Sequence, residues 1–160
     1  MDLGIQNRVA LILASSKGLG KAVAIELAKE GARVIICGTD AAALATTKAD
    51  IEAIAPNNVV SFICDITDEG QRKNLVEQSI KAFGNIEILV TNTGGPATGP
   101  FEQFNLEDWK HLYNLLFLSA VDIIQQVLPN MKKKGFGRIL TITSVAVKQP
   151  ADNLISSNAV

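Results

Sequence analysis

The stretch Val9–Gly20, VALILASSKGLG, constrains the fold more than any other part of this chain. Five apolar residues, Val9 to Leu13, form a run short enough to be a strand buried on both faces. Four small or polar residues come next, Ala14, Ser15, Ser16 and Lys17, and Gly18-Leu19-Gly20 then leads into a helical pattern. A buried strand, a tight turn and a helix make the first half of a dinucleotide-binding βαβ unit. Backbone N–H groups at a helix N-terminus face such a turn, and the helix dipole favours an anion there. Glycines let a phosphate approach without meeting a Cβ. Taken alone, the stretch equally fits a glycine-containing turn of any α/β protein, so its meaning depends on the rest of the chain.

Strand and helix patterns alternate from there on. Gly18–Glu30 reads as a helix, with Leu19, Val23 and Leu27 on one stripe and Gly31 ending it. Strands are expected at Arg33–Cys37, Val59–Cys64, Ile86–Val90 and Arg138–Ile142, and helices at Ala41–Ala55 (stopped by Pro56), Asp68–Phe83 and Leu106–Met131. Thr91–Pro100 is a turn-rich loop, and Asn105 with Asp108 forms the capping pattern of the long helix. Continuous apolar strands in strict alternation with helices mean a parallel sheet covered on both faces. Right-handed crossovers then predict an α/β, Rossmann-like doubly wound sheet of order 3-2-1-4-5, three layers αβα, in a single domain spanning residues 1–160.

Net charge is −1, so charge offers no case for nucleic acid or an anionic membrane. The basic run Lys132-Lys133-Lys134 sits at a helix C-terminus, where cations complement the dipole. Cys37 and Cys64 fall at strand ends without histidine partners, which reads as reduced core thiols rather than a disulfide or metal site. No metal is expected. No apolar run approaches the roughly 20 residues of a membrane span, and no signal-peptide pattern opens the chain. The expectation is a cytoplasmic protein.

The helix Leu106–Met131 carries apolar residues on more than one stripe, from Trp109 and Tyr113 through Phe117 to Leu128. A second buried face is expected, in a homo-oligomer (dimer or tetramer) built on this helix. Ala151–Val160 starts like another helix and stops without a cap, and the fifth strand would leave an apolar edge. Both features suggest the N-terminal portion of a longer protein, ending before the last strands.

With its elements in this order, the chain resembles a classical short-chain dehydrogenase/reductase, of the kind related to 3-oxoacyl-[acyl-carrier-protein] reductases, over all 160 residues and about two-thirds of such an enzyme. The family's TGxxxGxG turn corresponds to Leu13–Gly20, with Leu13 for Thr and Ala14 for the first Gly. The resemblance places Ser15, Ser16, Lys17, Gly18 and Leu19 at the cofactor. Lys17 stands where members preferring NADP(H) carry a basic residue toward the 2′-phosphate. No acidic residue stands at Gly38 to accept from a ribose 2′-OH, and Asp40 lies two residues on. NADP (as NADPH) is therefore favoured over NAD. Asp65-Ile66 is similar to the family's pair at the adenine edge, although Asp65 also fits a helix cap. Thr91-Asn92-Thr93-Gly94 stands for the family's NNAG, with Asn92 steadying the sheet and Gly94 admitting the ribose.

In this family an Asn of the long helix, a Ser after the fifth strand and a Tyr-x-x-x-Lys act together on a carbonyl. Asn114 and Ser144 stand for the first two. Leu154 and Asn158 replace the Tyr and Lys in Leu154-Ile155-Ser156-Ser157-Asn158, and the only tyrosine, Tyr113, lies in another element. Leucine transfers no proton, and asparagine carries no charge to lower a neighbour's pKa. The resemblance thus implies an oxidoreductase moving hydride between nicotinamide and a small carbonyl or alcohol substrate, 3-oxoacyl-type or a small ketone. The replacements point to an alternative, a catalytically weak dinucleotide-binding protein used for sensing or scaffolding.

Overall fold

The parity of residues along each central strand divides the interior in two. On β1 (Val9–Ile12) and β2 (Arg33–Gly38), Leu11, Ile35 and Cys37 face one way and Ala10, Ile12, Val34 and Ile36 the other; every one of these is buried. Helices α1 (Gly18–Lys29) and α2 (Ala41–Ile54) cover the second side with Ala24, Ala28, Leu44 and Ile51. Leu75 and Val76 of α3 (Glu69–Phe83), with Ile123, Val127 and Met131 of α5 (Ser119–Lys134), cover the first. Each of the larger side chains among them, Leu, Ile, Val or Met, contributes about 1.5–3 kcal/mol by leaving water, so both faces are firmly held.

The computed structural model describes residues 3–159. Its five parallel strands run in the order β3-β2-β1-β4-β5, with β3 at Val59–Ile63, β4 at Ile88–Thr91 and β5 at Arg138–Thr141. Register is continuous, Leu11 lying opposite Ile35 on one side and Leu89 on the other. This is the expected order and layering. The crossovers after β1 and β4 leave the sheet on opposite faces, so a crevice opens between them at the strands' C-terminal ends. β5 differs from the central strands in being exposed along its whole length.

The long helix departs from expectation. It runs to Lys134, where Gly135 closes it in the left-handed conformation at φ 66°, and a π-turn at Asn114–Leu118 separates α4 (Leu106–Tyr113) from α5. Leu106–Lys134 as a whole is long and apolar enough to cross a membrane by length and composition, contrary to the sequence expectation. Its inner residues Leu112, Ser119, Ile123, Val127 and Met131 are instead buried. Tyr113, Phe117 and Leu118 remain on the outside. Both cysteines are free and buried.

Candidate functional site: a braced turn and two adjoining clefts

The turn after β1 is fixed by side chains from two other parts of the chain and by its own Ser15 hydroxyl. Ala14 lies in the left-handed region at φ 45°, which a Cβ disfavours. Its carbonyl accepts from the Asn92 amide, 3.1 Å away at the end of β4. Ser15 is fully buried; its hydroxyl donates to Ile12 O (2.7 Å) and accepts from the Cys37 N–H (3.0 Å). The Ser16 carbonyl accepts from Thr47 of α2 at 2.8 Å. Gly18 holds φ 60°, where a side chain is strained, and a Cβ at Gly20 would stand 2.5 Å from the Ala14 oxygen, so Gly20 has no room for one. This geometry corrects one expectation: Ser15 fastens the turn to the sheet from beneath and does not line the cleft. Its hydroxyl pairs inward with two strands, the natural outcome for a small polar residue under a tight turn.

Helix α1 is capped differently from α2, α3 and α4. Asp40, Asp68 and Asn105 cap α2, α3 and α4 by accepting first-turn amides. At α1 the N-cap is Lys17, extended and without a side-chain cap. The positive end of α1 is thus left to an external acceptor, the arrangement that suits a phosphate.

In front of it lies a cleft of about 430 Å³, lined by Ser16, Lys17, Gly18, Leu19, Gly38, Thr39, Cys64, Asp65, Ile66, Asn92, Gly94 and Leu115. Among the cofactor residues expected from sequence, all but Ser15 meet here. Lys17 is exposed at the rim, and Asp40 has committed a carboxylate oxygen to the Ala43 amide at 3.0 Å. Asp65 does not cap α3, which Asp68 does; its Oδ1 accepts from the Thr67 amide (2.9 Å) and hydroxyl (2.8 Å). These two bonds hold its carboxyl below the ordinary aspartate range, against its partial burial and with help from the charge of His111. Burial pushes the Cys37 thiol up to about 12 and, with the Asp65 charge, the Cys64 thiol to about 11. Both therefore act as small apolar packing groups rather than nucleophiles. The residues fit a dinucleotide: an open helix end, a backbone at Gly94 with no neighbour near an added Cβ, and an acceptor at Asp65. A larger hollow of about 530 Å³ between α2 and β3 lies away from this crevice and is walled mainly by alanine and aliphatic side chains.

A second cleft of about 320 Å³ continues past Asn92 and Thr93 to Thr141, Thr143, Ser144 and Ser157, with Leu116 and Ala120 as its helical wall. Ser144 is exposed, and its hydroxyl accepts from the Ala146 amide at 3.2 Å. A second expectation is corrected at this cleft. Asn114 does not join Ser144; its amide donates to the Thr67 carbonyl at 2.8 Å, behind the first cleft, and Leu116 holds the helical position beside Ser144. Two residues along a helix change the facing direction by well over a right angle, so matching an asparagine by type alone selects the wrong side. Asn158 turns both ends of its amide onto the Ala151 backbone, accepting at 3.2 Å and donating at 2.9 Å. Leu154 pairs with Gly99 across a short bridge, and Ser156 donates to the Ala97 carbonyl at 2.8 Å, so this segment is latched to the Thr91–Pro100 loop. Sequence reading missed Thr47 and Leu116; neither stands in a motif, and only the fold brings them to the site.

A family model described as short chain dehydrogenase matches residues 8–158. The 7alpha-hydroxysteroid dehydrogenase of Escherichia coli (strain K12) is 34% identical over 166 residues, which covers 97% of this chain and 60% of that protein. A crystal structure of L-sorbose reductase from Gluconobacter frateurii with NADPH and L-sorbose superposes with a TM-score of 0.94 at 28% identity, covering 99% of this chain and 60% of that one. A 7alpha-hydroxysteroid dehydrogenase complexed with NADH and 7-oxo glycochenodeoxycholic acid superposes at 0.90 with 32% identity, over 96% and 60% of the two chains. The chain thus spans about 60% of the length of the relatives it matches.

Proposed function

The chain belongs to the short chain dehydrogenase family, and from that premise we propose that it binds NADP(H) and serves an oxidoreductase acting on a small carbonyl or alcohol substrate. The observation that carries the reading is the α1 N-terminus, left without a side-chain cap behind a turn braced from β2, α2 and β4. The bound dinucleotide would supply hydride chemistry; the chain's own part is to hold it. Ser16, Gly18 and Leu19 face its phosphates, Asp65 and Ile66 its base, and Asn92 and Gly94 its inner ribose. Lys17 at the rim, with Asp40 occupied as the cap of α2, favours a 2′-phosphate over a free 2′-hydroxyl. Ser144 and Ser157 offer hydroxyls to a carbonyl in the second cleft.

A second reading, a weakly catalytic dinucleotide-binding protein, is favoured by one feature. Leu154 stands where the resemblance asks for a tyrosine, Leu116 presents an apolar wall to the cleft of Ser144, and Asn158 spends its amide on Ala151. A homo-oligomer through the outer face of the long helix, and a cytoplasmic setting suited to two buried free thiols, complete the proposal.

Titration with NADPH and NADH, followed by nicotinamide fluorescence, tests the cofactor. Lys17→Glu is expected to weaken NADPH by roughly tenfold or more, the scale of a lost hydrogen bond to a charged group, and NADH far less. Equal losses defeat the 2′-phosphate assignment. Absorbance decay with a panel of ketones and 3-oxoacyl thioesters then separates the two readings: binding without turnover favours the second.

A further inference from the structure

The loop joining β3 to α3 forms one wall of the nucleotide cleft through Cys64, Asp65 and Ile66. The last backbone bond tying it to the sheet is Cys64 N–H to Gly38 O, 3.0 Å. Beyond that point, side chains hold it. Arg72 of α3, almost fully buried, donates from Nη1 to the Ile66 carbonyl at 2.8 Å, and Asn114 donates to the next carbonyl, Thr67, at 2.8 Å. Gln71 accepts the Asp65 amide at 2.9 Å. The Arg72 guanidinium is itself fixed by an ion pair through its Nε to Asp122 of α5, whose other oxygen accepts from Gln126 at 3.0 Å.

Asn114 owes its aim to the π-turn. The Ser119 N–H reaches the Asn114 carbonyl five residues back, and the widened turn presents Asn114 behind the loop, Leu115 to the nucleotide cleft and Leu116 to the Ser144 cleft. Such turns recur at functional sites. A straight α-helix carrying the same sequence would not serve all three directions in the same way.

We infer that Asn114 and Arg72 form a brace between the long helix and the base-facing loop, positioning Asp65 and Ile66 for the nucleotide from the side opposite the ligand. The inference rests on the proposed dinucleotide site, and it makes Asn114 a positioning residue for binding. The brace acts on the base end, which NADPH and NADH share; Lys17 acts on the 2′-position, where they differ.

The test is calorimetric titration of wild type, Asn114→Asp and Asn114→Ala with NADPH, NADH and adenosine 5′-monophosphate, together with hydrogen exchange of the ligand-free proteins. Asn114→Asp keeps the shape, removes the donor and adds a charge, whereas Asn114→Ala removes the donor without charge, so a loss common to both variants reports the missing bond. Affinity is expected to fall about three- to tenfold, alike for all three ligands, the scale of one neutral hydrogen bond. Amides 65–68 are expected to exchange faster in both variants while the sheet keeps its protection. Unchanged affinity with unchanged exchange overturns the brace, as does a fall in kcat with binding intact. Failure of the wild type to bind any of the three ligands overturns the dinucleotide reading itself, and the brace with it.

Discussion

At the scale of single residues, Ala14 shows what the turn demands. The first position of the glycine-rich turn sits at φ 45°, a left-handed conformation that costs a residue with a Cβ about 1–2 kcal/mol. The Asn92 and Ser15 hydrogen bonds hold it there regardless. Ala14→Gly removes that strain and returns some of it through the freer unfolded chain, about 0.4–1 kcal/mol. The expected outcome is a gain of roughly 0.5 kcal/mol, read as a higher denaturation midpoint with unchanged slope; a lower midpoint would show that the turn is not strained. The sequence exposed this site as a small-residue turn before a helix, and Ser16, Lys17 and Gly18 lie where that pattern puts them. It did not show which hydroxyl faces the cleft, because Ser15 and Ser16 are identical in type and the turn sends neighbours in opposite directions.

Among elements, legibility follows how strongly burial pins the chain. β1, β2 and β4 are buried almost throughout, so their apolar runs are unambiguous, and right-handed crossovers restrict the order to that of a doubly wound sheet. The long helix is different: its apolar residues cover several stripes, so periodicity sets its length but not the π-turn that shifts the facing of every residue around Asn114. Misassignment of Asn114 is the direct result. The mouths of β1 and β4 carry another element-scale feature. Glu87, almost buried ahead of β4, accepts from Arg8 at 2.7 Å and from the Val9 amide at 3.3 Å, with Lys134 3.7 Å away. Burial alone would push its carboxyl up, but the Arg8 and Val9 bonds and the Lys134 charge together hold it below the ordinary glutamate range. A depressed carboxyl stabilises the fold fully above the unfolded value of about 4.3 and loses that contribution as pH falls through its folded value. Glu87→Gln is expected to lower stability by about 1 kcal/mol at pH 7, given that Arg8 is partly solvated. It should also flatten the acid limb of the stability curve below about pH 4.3. Denaturant melts at pH 7 and at a series of pH values below about 4.3 check both; an acid limb as steep as that of wild type would remove Glu87 as its source.

On the scale of the whole molecule, apolar surface is unevenly placed. The sheet is sealed along β1, β4 and all of β2 but Arg33, and β3 is only partly covered, while β5 is exposed throughout and leaves Ile139 and Leu140 in contact with solvent. On the opposite flank of the long helix, Tyr113 and Phe117 stack with ring centroids 5.1 Å apart, both close to half exposed, beside an exposed Leu118. A stacked aromatic pair facing water is the composition that the proposed homo-oligomer interface calls for. Its position on the outer side of α4 and the π-turn leaves the inner residues Leu112 and Ile123 free to keep packing the domain, so the two roles separate by mutation. In a twofold assembly each ring counts twice, and burying the half of one that is still exposed is worth about 1 kcal/mol. Phe117→Glu is therefore expected to convert an oligomer into monomer in sedimentation velocity, with the far-ultraviolet spectrum and denaturation midpoint retained. An unchanged sedimentation coefficient in a protein that is oligomeric as wild type would move the interface off this face. The exposed β5 surface, Ile139 and Leu140 with it, would then be the next to test, by Leu140→Lys in the same measurement.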